Sequence, residues 1–177
     1  MDKMLSVVLP AYNEEQMIKK TAQVVGDLLE KEQIPYELVF VNDGSKDHTW
    51  EKILELKEER AHIKGVCFSR NFGKEAAIYA GLSNAEGNYV AIMDVDLQDP
   101  PSLLPEMYRT LIEEPYDSVA TKRSTRTGEP KIRSFLSNRF YKFINKISKT
   151  EIVSGARDYR LMKRKMVDAI LEMSEYN

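Results

Sequence analysis

Tyr89-Val-Ala-Ile-Met-Asp-Val-Asp-Leu-Gln-Asp-Pro-Pro101 joins an uncharged aliphatic run to a sudden cluster of carboxylates. The run Tyr89 to Met93 has the length and composition of a strand buried on both faces. Asp94, Asp96 and Asp99 follow at once, with Gln98 between them. Asp94 and Asp96 are two apart, so an extended chain turns both side chains the same way. Two carboxylates on one side repel unless a positive charge sits between them, and a hard divalent cation with oxygen ligands suits that place. Pro100 and Pro101 forbid continuation of the strand, and Pro101 is placed to open a helix. The acidic cluster thus falls at the end of a buried strand, where ligands bind in open α/β sheets. Taken alone, Asp-x-Asp reads more simply as two surface aspartates in a strand-to-helix turn, one of them a helix cap; the rest of the chain reverses that balance.

The other stretches of the chain repeat this arrangement. Leu5 to Leu9 reads as a strand closed by Pro10-Ala-Tyr-Asn-Glu-Glu15, and Ile18, Val25, Leu28 and Leu29 give a helix to about Glu32. Tyr36 to Val41 reads as a second strand, followed by the strong turn signal Asn42-Asp-Gly-Ser-Lys-Asp47. Asp47 is predicted to cap the next helix, whose apolar side holds Trp50, Ile53, Leu54 and Leu56. Ile63 to Phe68 is a third strand, containing Cys67; Ser69-Arg-Asn-Phe-Gly-Lys74 is a turn before a helix over about 75–84. After the Tyr89 strand come a helix over about 102–113 and a short strand from Asp117 to Thr121.

Strands alternating with helices predict right-handed βαβ units in a Rossmann-like, mainly parallel sheet flanked by helices in a single α/β domain. Polar residues follow each of the first four strands: Asn13 and Glu14, Asn42 and Asp43, Arg70 and Asn71, Asp94 and Asp96. In a parallel sheet these share one edge, and that convergence is stronger evidence of a site than any single motif.

The chain has 177 residues, 42% of them hydrophobic and 31% charged, which suits one soluble domain with a substantial core. A net charge of −2 names no partner and gives no sign of nucleic acid binding. A single cysteine rules out an internal disulfide and fits a reducing compartment. No run is long enough to span a bilayer, and Leu5 to Leu9 is too short for a signal peptide.

Composition shifts after Ala120. Between Lys122 and Lys149 stand nine basic residues against one acid, Glu129. Thr125 to Pro130 reads as a loop, and Ile132, Phe135, Leu136, Phe140, Phe143, Ile144 and Ile147 make a helical apolar stripe with basic residues opposite. Such a helix suits an anionic membrane surface; an ordinary packed helix with a solvated basic face fits the periodicity as well. Ser154 to Arg160 reads as a polar turn, with Asp158 between Arg157 and Arg160, and Lys165 to Met173 as a helical run. The shift separates a part over about 1–121 from a basic part over about 122–177.

Six stretches, in this order, resemble the family 2 glycosyltransferases, inverting enzymes of GT-A fold: Val8 to Glu15, Val41 to Ser45, Ser69 to Lys74, Asp94 to Pro101, Lys122-Arg123 with Arg126, and Arg157 to Arg160. The likeness is nearest to the polyprenyl-phosphate branch, which includes dolichol-phosphate mannosyltransferase and the bacterial enzymes that load sugars onto undecaprenyl phosphate. Membrane-bound members of that branch continue into transmembrane helices, so a chain cut before them, working at the cytoplasmic face of the membrane, is expected; a soluble relative is the other possibility.

The resemblance implies a nucleotide-binding part over about 1–121 and an acceptor-side part over about 122–177, and transfer of a sugar from a nucleotide-diphosphate sugar, with a UDP-sugar the expected donor, to a polyprenyl phosphate. It implies Mg²⁺ or Mn²⁺ on Asp94, Asp96 and Gln98, and a donor site of Pro10, Ala11, Tyr12, Glu14, Asp43 and Asp94. Asp158 matches the family's base, with a structural ion pair to Arg157 or Arg160 as its plain alternative. Arg123, Arg126 and Arg139 are candidates to grip acceptor phosphate, or else form a solvated basic face. A soluble or polysaccharide acceptor, a nucleotidyltransferase and a non-catalytic membrane-docking module are the competing readings. Pro10-Ala-Tyr-Asn-Glu14 is no dinucleotide fingerprint, and Gly73-Lys74-Glu75 fails the third position of a P-loop. An Asp-x-Asp after the fourth strand is also misplaced for an aspartyl-phosphate phosphatase.

Overall fold

The computed structural model describes residues 3–122 and 156–172. Among these the order is β1 (Leu5–Ala11), α1 (Ile18–Lys31), β2 (Tyr36–Asn42), α2 (Thr49–Glu59), β3 (Ile63–Cys67), α3 (Lys74–Asn84), β4 (Tyr89–Ile92), a 3₁₀ turn (Pro101–Leu103), α4 (Leu104–Glu113), β5 (Ser118–Lys122), β6 (Ala156–Lys163) and α5 (Arg164–Glu172). The strands form one six-stranded sheet in the order β3-β2-β1-β4-β6-β5. The pairs β1–β2, β1–β4 and β2–β3 are parallel, and β4–β6 is antiparallel. The chain divides into two compact units, one of Met1–Val119 with Tyr159–Asn177 and one of Ala120–Asp158. Of the second, the described residues are 120–122 and 156–158.

Strand alternation distributes the core. Leu5, Val7 and Leu9 of β1 with Leu38 and Phe40 of β2 face one side, where Ile18, Ala22, Val25 and Leu29 of α1, Ile53 and Leu56 of α2, and Leu104 and Leu111 of α4 cover them. Val8, Val39, Val90 and Ile92 face the other, under Leu82 of α3 and Val167 of α5. Each Val, Leu, Ile or Phe among them taken fully out of water contributes about 1.5–3 kcal/mol. Both faces of the central strands are therefore buried, which is why they read as unbroken aliphatic runs.

Two local expectations are corrected. Residues 154–160, read as a polar turn, contain the start of β6 from Ala156. Tyr159, Leu161 and Met162 of that strand are buried, and the charged Arg157, Asp158 and Arg160 hid the pattern. Asp47 precedes the α2 cap, which is His48. Its Oδ1 nevertheless accepts the Thr49 N–H at 3.0 Å, so the carboxylate satisfies a helix-start donor from one residue further out. The expected loop 125–130, the apolar stripe 132–147 and Arg123, Arg126 and Arg139 lie outside the described residues.

A buried polar network ties the N-terminal ends of the strands. Glu37, 4% exposed, accepts from Ser6 Oγ at 2.5 Å and from Glu86 N at 2.6 Å, and its Oε2 lies 2.8 Å from Lys64 Nζ. Burial alone would raise the Glu37 pKa; the Lys64 ammonium and the two donors outweigh it and hold it below the ordinary glutamate value of 4.5. Replacing Lys64 by Met is expected to cost about 2–3 kcal/mol at pH 7. That is below the cost of breaking a fully buried pair, because Lys64 is itself partly exposed. A lowered carboxylate pKa stabilises the fold above the unfolded value, and this is lost as pH falls through the folded one. Urea denaturation below pH 5 should therefore show a shallower acid loss in the variant than in wild type.

Candidate functional site

The loops leaving β1, β2 and β3 are stitched to one another through side chains. After β1, Asn13 takes a left-handed backbone with φ 55°. Its N–H donates to Ser45 Oγ at 2.9 Å, and its Oδ1 accepts the Lys46 N–H at 2.8 Å. The Glu14 N–H donates to Thr49 Oγ1 at 2.8 Å. After β2, both oxygens of the buried Asp43 are engaged: Oδ1 accepts the Phe72 N–H at 2.7 Å and Oδ2 the Gly73 N–H at 3.0 Å. Asn, Asp and Ser are where they are because their short polar side chains replace missing backbone partners in turns.

Gly44, with φ +63°, sits against the backbone of Arg70 and Asn71 so closely that a Cβ would overlap it. Gly44→Ala is expected to destabilise the protein by about 2–4 kcal/mol, combining left-handed strain with overpacking. The same change should loosen the β3–α3 loop, read as faster amide exchange at Phe72 and Gly73.

The fourth loop carries the acids. β4 ends at Ile92, and Val95 is buried between Asp94 and Asp96, so the two aspartates face the same opening. The loop is held from two sides. Thr21 Oγ1 of α1 donates to Val95 O at 2.5 Å, and Tyr159 Oη of β6 donates to Pro100 O at 3.2 Å. The Gln98 N–H donates to Asp96 Oδ1 at 3.0 Å in an Asx turn, and Leu97 takes φ 59°.

Together the four loops enclose a cleft of about 440 Å³ at the C-terminal edge of the parallel strands. Pro10, Ala11, Tyr12, Glu14, Asp43, Asp94 and Asp96, all expected from the sequence, line it. So do Asn71, which the sequence places at that edge, and Gly73, Lys74, Ala77 and Val95, for which the sequence predicts no ligand role. Lys74 closes the Ser69 to Lys74 stretch that carries the family resemblance, and the Gly-Lys pair after the third strand is the signal that marks it. Gln98, expected as a metal ligand, is exposed and does not line the cleft. Asp158 is exposed on β6, in the second unit.

The electrostatics differ from the expectation in one respect. Asp94 is not left to repel Asp96 uncompensated, because Lys74 Nζ lies 2.7 Å from Asp94 Oδ1. Glu14 feels the acidity: burial first, then Asp96, Asp47 and Asp94, push its pKa up. Among the described residues no cluster of three or more His, Cys, Asp or Glu is arranged to cage a metal. Two aspartates in an open cleft fit a different kind of site, in which a hard cation keeps waters and takes phosphate oxygens from a substrate.

Residues 6–171 match the family described as glycosyl transferase family 2. The chain is 41% identical over 174 of its residues, 98% of its length, to the CsbB protein of Bacillus subtilis (strain 168), covering 52% of that protein. It is 38% identical over 173 residues to the bactoprenol glucosyl transferase of Shigella phage SfV, covering 98% of this chain and 56% of that one. The chain thus spans about half the length of the curated relatives it matches. Among solved structures it resembles glucosyl-3-phosphoglycerate synthase from Mycobacterium tuberculosis in complex with Mn²⁺, UDP-glucose and phosphoglyceric acid, with a TM-score of 0.65 at 22% identity over 92% of this chain and 57% of that one. The sequence match over nearly the whole chain and the α/β fold agree: this chain belongs to glycosyl transferase family 2, with the GT-A fold.

Proposed function

We propose that this chain is the catalytic part of an inverting glycosyltransferase that moves a sugar from a nucleotide diphosphate, UDP in the first instance, to a polyprenyl phosphate. The observation that carries this reading is the meeting of Pro10, Ala11, Tyr12, Glu14 and Asp43 with Asp94 and Asp96 in one cleft. The bactoprenol glucosyl transferase relative supports the lipid acceptor, and the Mn²⁺ and UDP-glucose of the solved neighbour support the donor and the cation.

The wall from Pro10 to Tyr12, with Asp43, receives the nucleoside in this proposal, and Asp43 keeps the β3–α3 loop in place beside it. Asp94 and Asp96 would hold a Mg²⁺ or Mn²⁺ ion, with Gln98 as a further candidate. A bound divalent ion would neutralise the charge that grows on the departing nucleoside diphosphate. The bond from the sugar C1 to the diphosphate oxygen breaks while an acceptor oxygen bonds to C1 from the opposite face. An acceptor phosphate oxygen is already anionic and needs positioning above all; a hydroxyl acceptor would pass its proton to Asp158. Arg123, Arg126 and Arg139 would grip the acceptor phosphate, and the basic segment would meet an anionic membrane surface at the cytoplasmic face.

Incubation with UDP-glucose, Mn²⁺ and undecaprenyl phosphate in anionic vesicles tests this. The expected products are UDP and a glycolipid, with no product in excess chelator. Release of pyrophosphate from a nucleoside triphosphate and a sugar phosphate would instead mark a nucleotidyltransferase. Transfer to soluble sugars alone would move the acceptor away from the membrane.

A further inference from the structure

Among the described residues that line the cleft, four carboxylates, Glu14, Asp43, Asp94 and Asp96, face a single cationic side chain, Lys74. Its position is built. Lys74 is the first residue of α3, and Gly73 before it holds φ +100°. The Gly73 N–H is tied to Asp43 Oδ2 at 3.0 Å, so the root of Lys74 is fixed by the second strand's loop. The flexible four-carbon stem then carries the ammonium to 2.7 Å from Asp94 Oδ1. Both partners are a little over one-third exposed, with side-chain values of 38% and 37%, so the pair is open to exchange.

We infer that Lys74 is an exchangeable counter-ion that makes binding of the cation and of the nucleotide diphosphate depend on each other. This deepens the proposed function and rests on it. In the free cleft the ammonium neutralises Asp94. A divalent ion arriving alone must displace it and leave two cations close together with no new anion. A diphosphate arriving alone meets Glu14, Asp94 and Asp96 while the one lysine is occupied. When both arrive, the ion takes Asp94 and the ammonium turns to the diphosphate, so Asp94, the diphosphate and both cations each have a partner. The coupling must be reciprocal, each ligand tightening the other by the same factor. Lys74 is a positioning residue here: no bond is made or broken at its amine.

Mn²⁺ titrations followed by electron paramagnetic resonance, with and without saturating UDP, test this on wild type, Lys74→Met and Lys74→Arg. In Lys74→Met, Mn²⁺ alone is expected to bind about fivefold more tightly, because its competitor is gone. The tightening of Mn²⁺ by UDP should fall by about tenfold relative to wild type. Lys74→Arg, which keeps the charge, should restore most of that coupling. Thermal melting of each variant confirms the fold. If Mn²⁺ and UDP tighten each other equally in wild type and Lys74→Met, or if Mn²⁺ alone binds Lys74→Met no better, the exchange is overturned and the proposed function stands. If wild type binds no Mn²⁺ even with UDP, while UDP itself binds, the cation assignment and the exchange fail together.

Discussion

Asp96→Asn is expected to lower donor turnover by about three orders of magnitude or more while leaving the melting temperature within a degree or two of wild type. Asp96 lines the cleft beyond the end of β4 and packs no core. Its Oδ1 accepts the Gln98 N–H, a bond the amide oxygen of Asn preserves, so the Asx turn survives the change. What disappears is one negative charge beside Asp94. Asp94 is the less decisive target, because its loss would also break the ion pair with Lys74. Turnover at varied Mn²⁺, beside a melt, is the measurement. An Asp96→Asn enzyme with wild-type turnover would remove the carboxylate from the mechanism.

Asp158→Asn should lower the rate by roughly two to four orders of magnitude with donor affinity nearly unchanged, if Asp158 serves the acceptor. Asp158 is exposed on β6, next to Tyr159, which is buried and bonded to Pro100 O. The strand is therefore anchored immediately beside it, and an isosteric change at an exposed position should not disturb that anchor. If Asp158 is instead one half of an ion pair with Arg157 or Arg160, the variant should melt earlier and keep its rate per folded molecule. Rate, UDP affinity and melting temperature on one preparation separate the two outcomes.

Much of this was legible because buried parallel strands and the turns after them have strong local chemistry. The aliphatic runs of β1, β2 and β4 announce themselves, and the polar residues behind them share one edge by topology alone. β6 was not legible, since Arg157, Asp158 and Arg160 give it the composition of a turn; only its neighbours in the sheet reveal that Tyr159, Leu161 and Met162 are buried. Glu37 was hidden for a related reason. A glutamate in a strand looks like a solvent-facing residue until Ser6, Lys64 and the Glu86 N–H are brought to it from three other segments.

The sequence by itself determined the order of strands and helices as far as β5, the loops that carry polar residues and the Asp-x-Asp at the end of the fourth strand, because each follows from periodicity and turn chemistry within a few neighbours. Tertiary structure alone decided the partners. It set Asp43 to hold the Phe72 and Gly73 N–H groups, pressed Gly44 onto the Arg70–Asn71 backbone, and placed Lys74 against Asp94. Those pairs are 20 to 30 residues apart in sequence, and a charge has no preferred partner at that separation until the sheet brings one within about 3 Å.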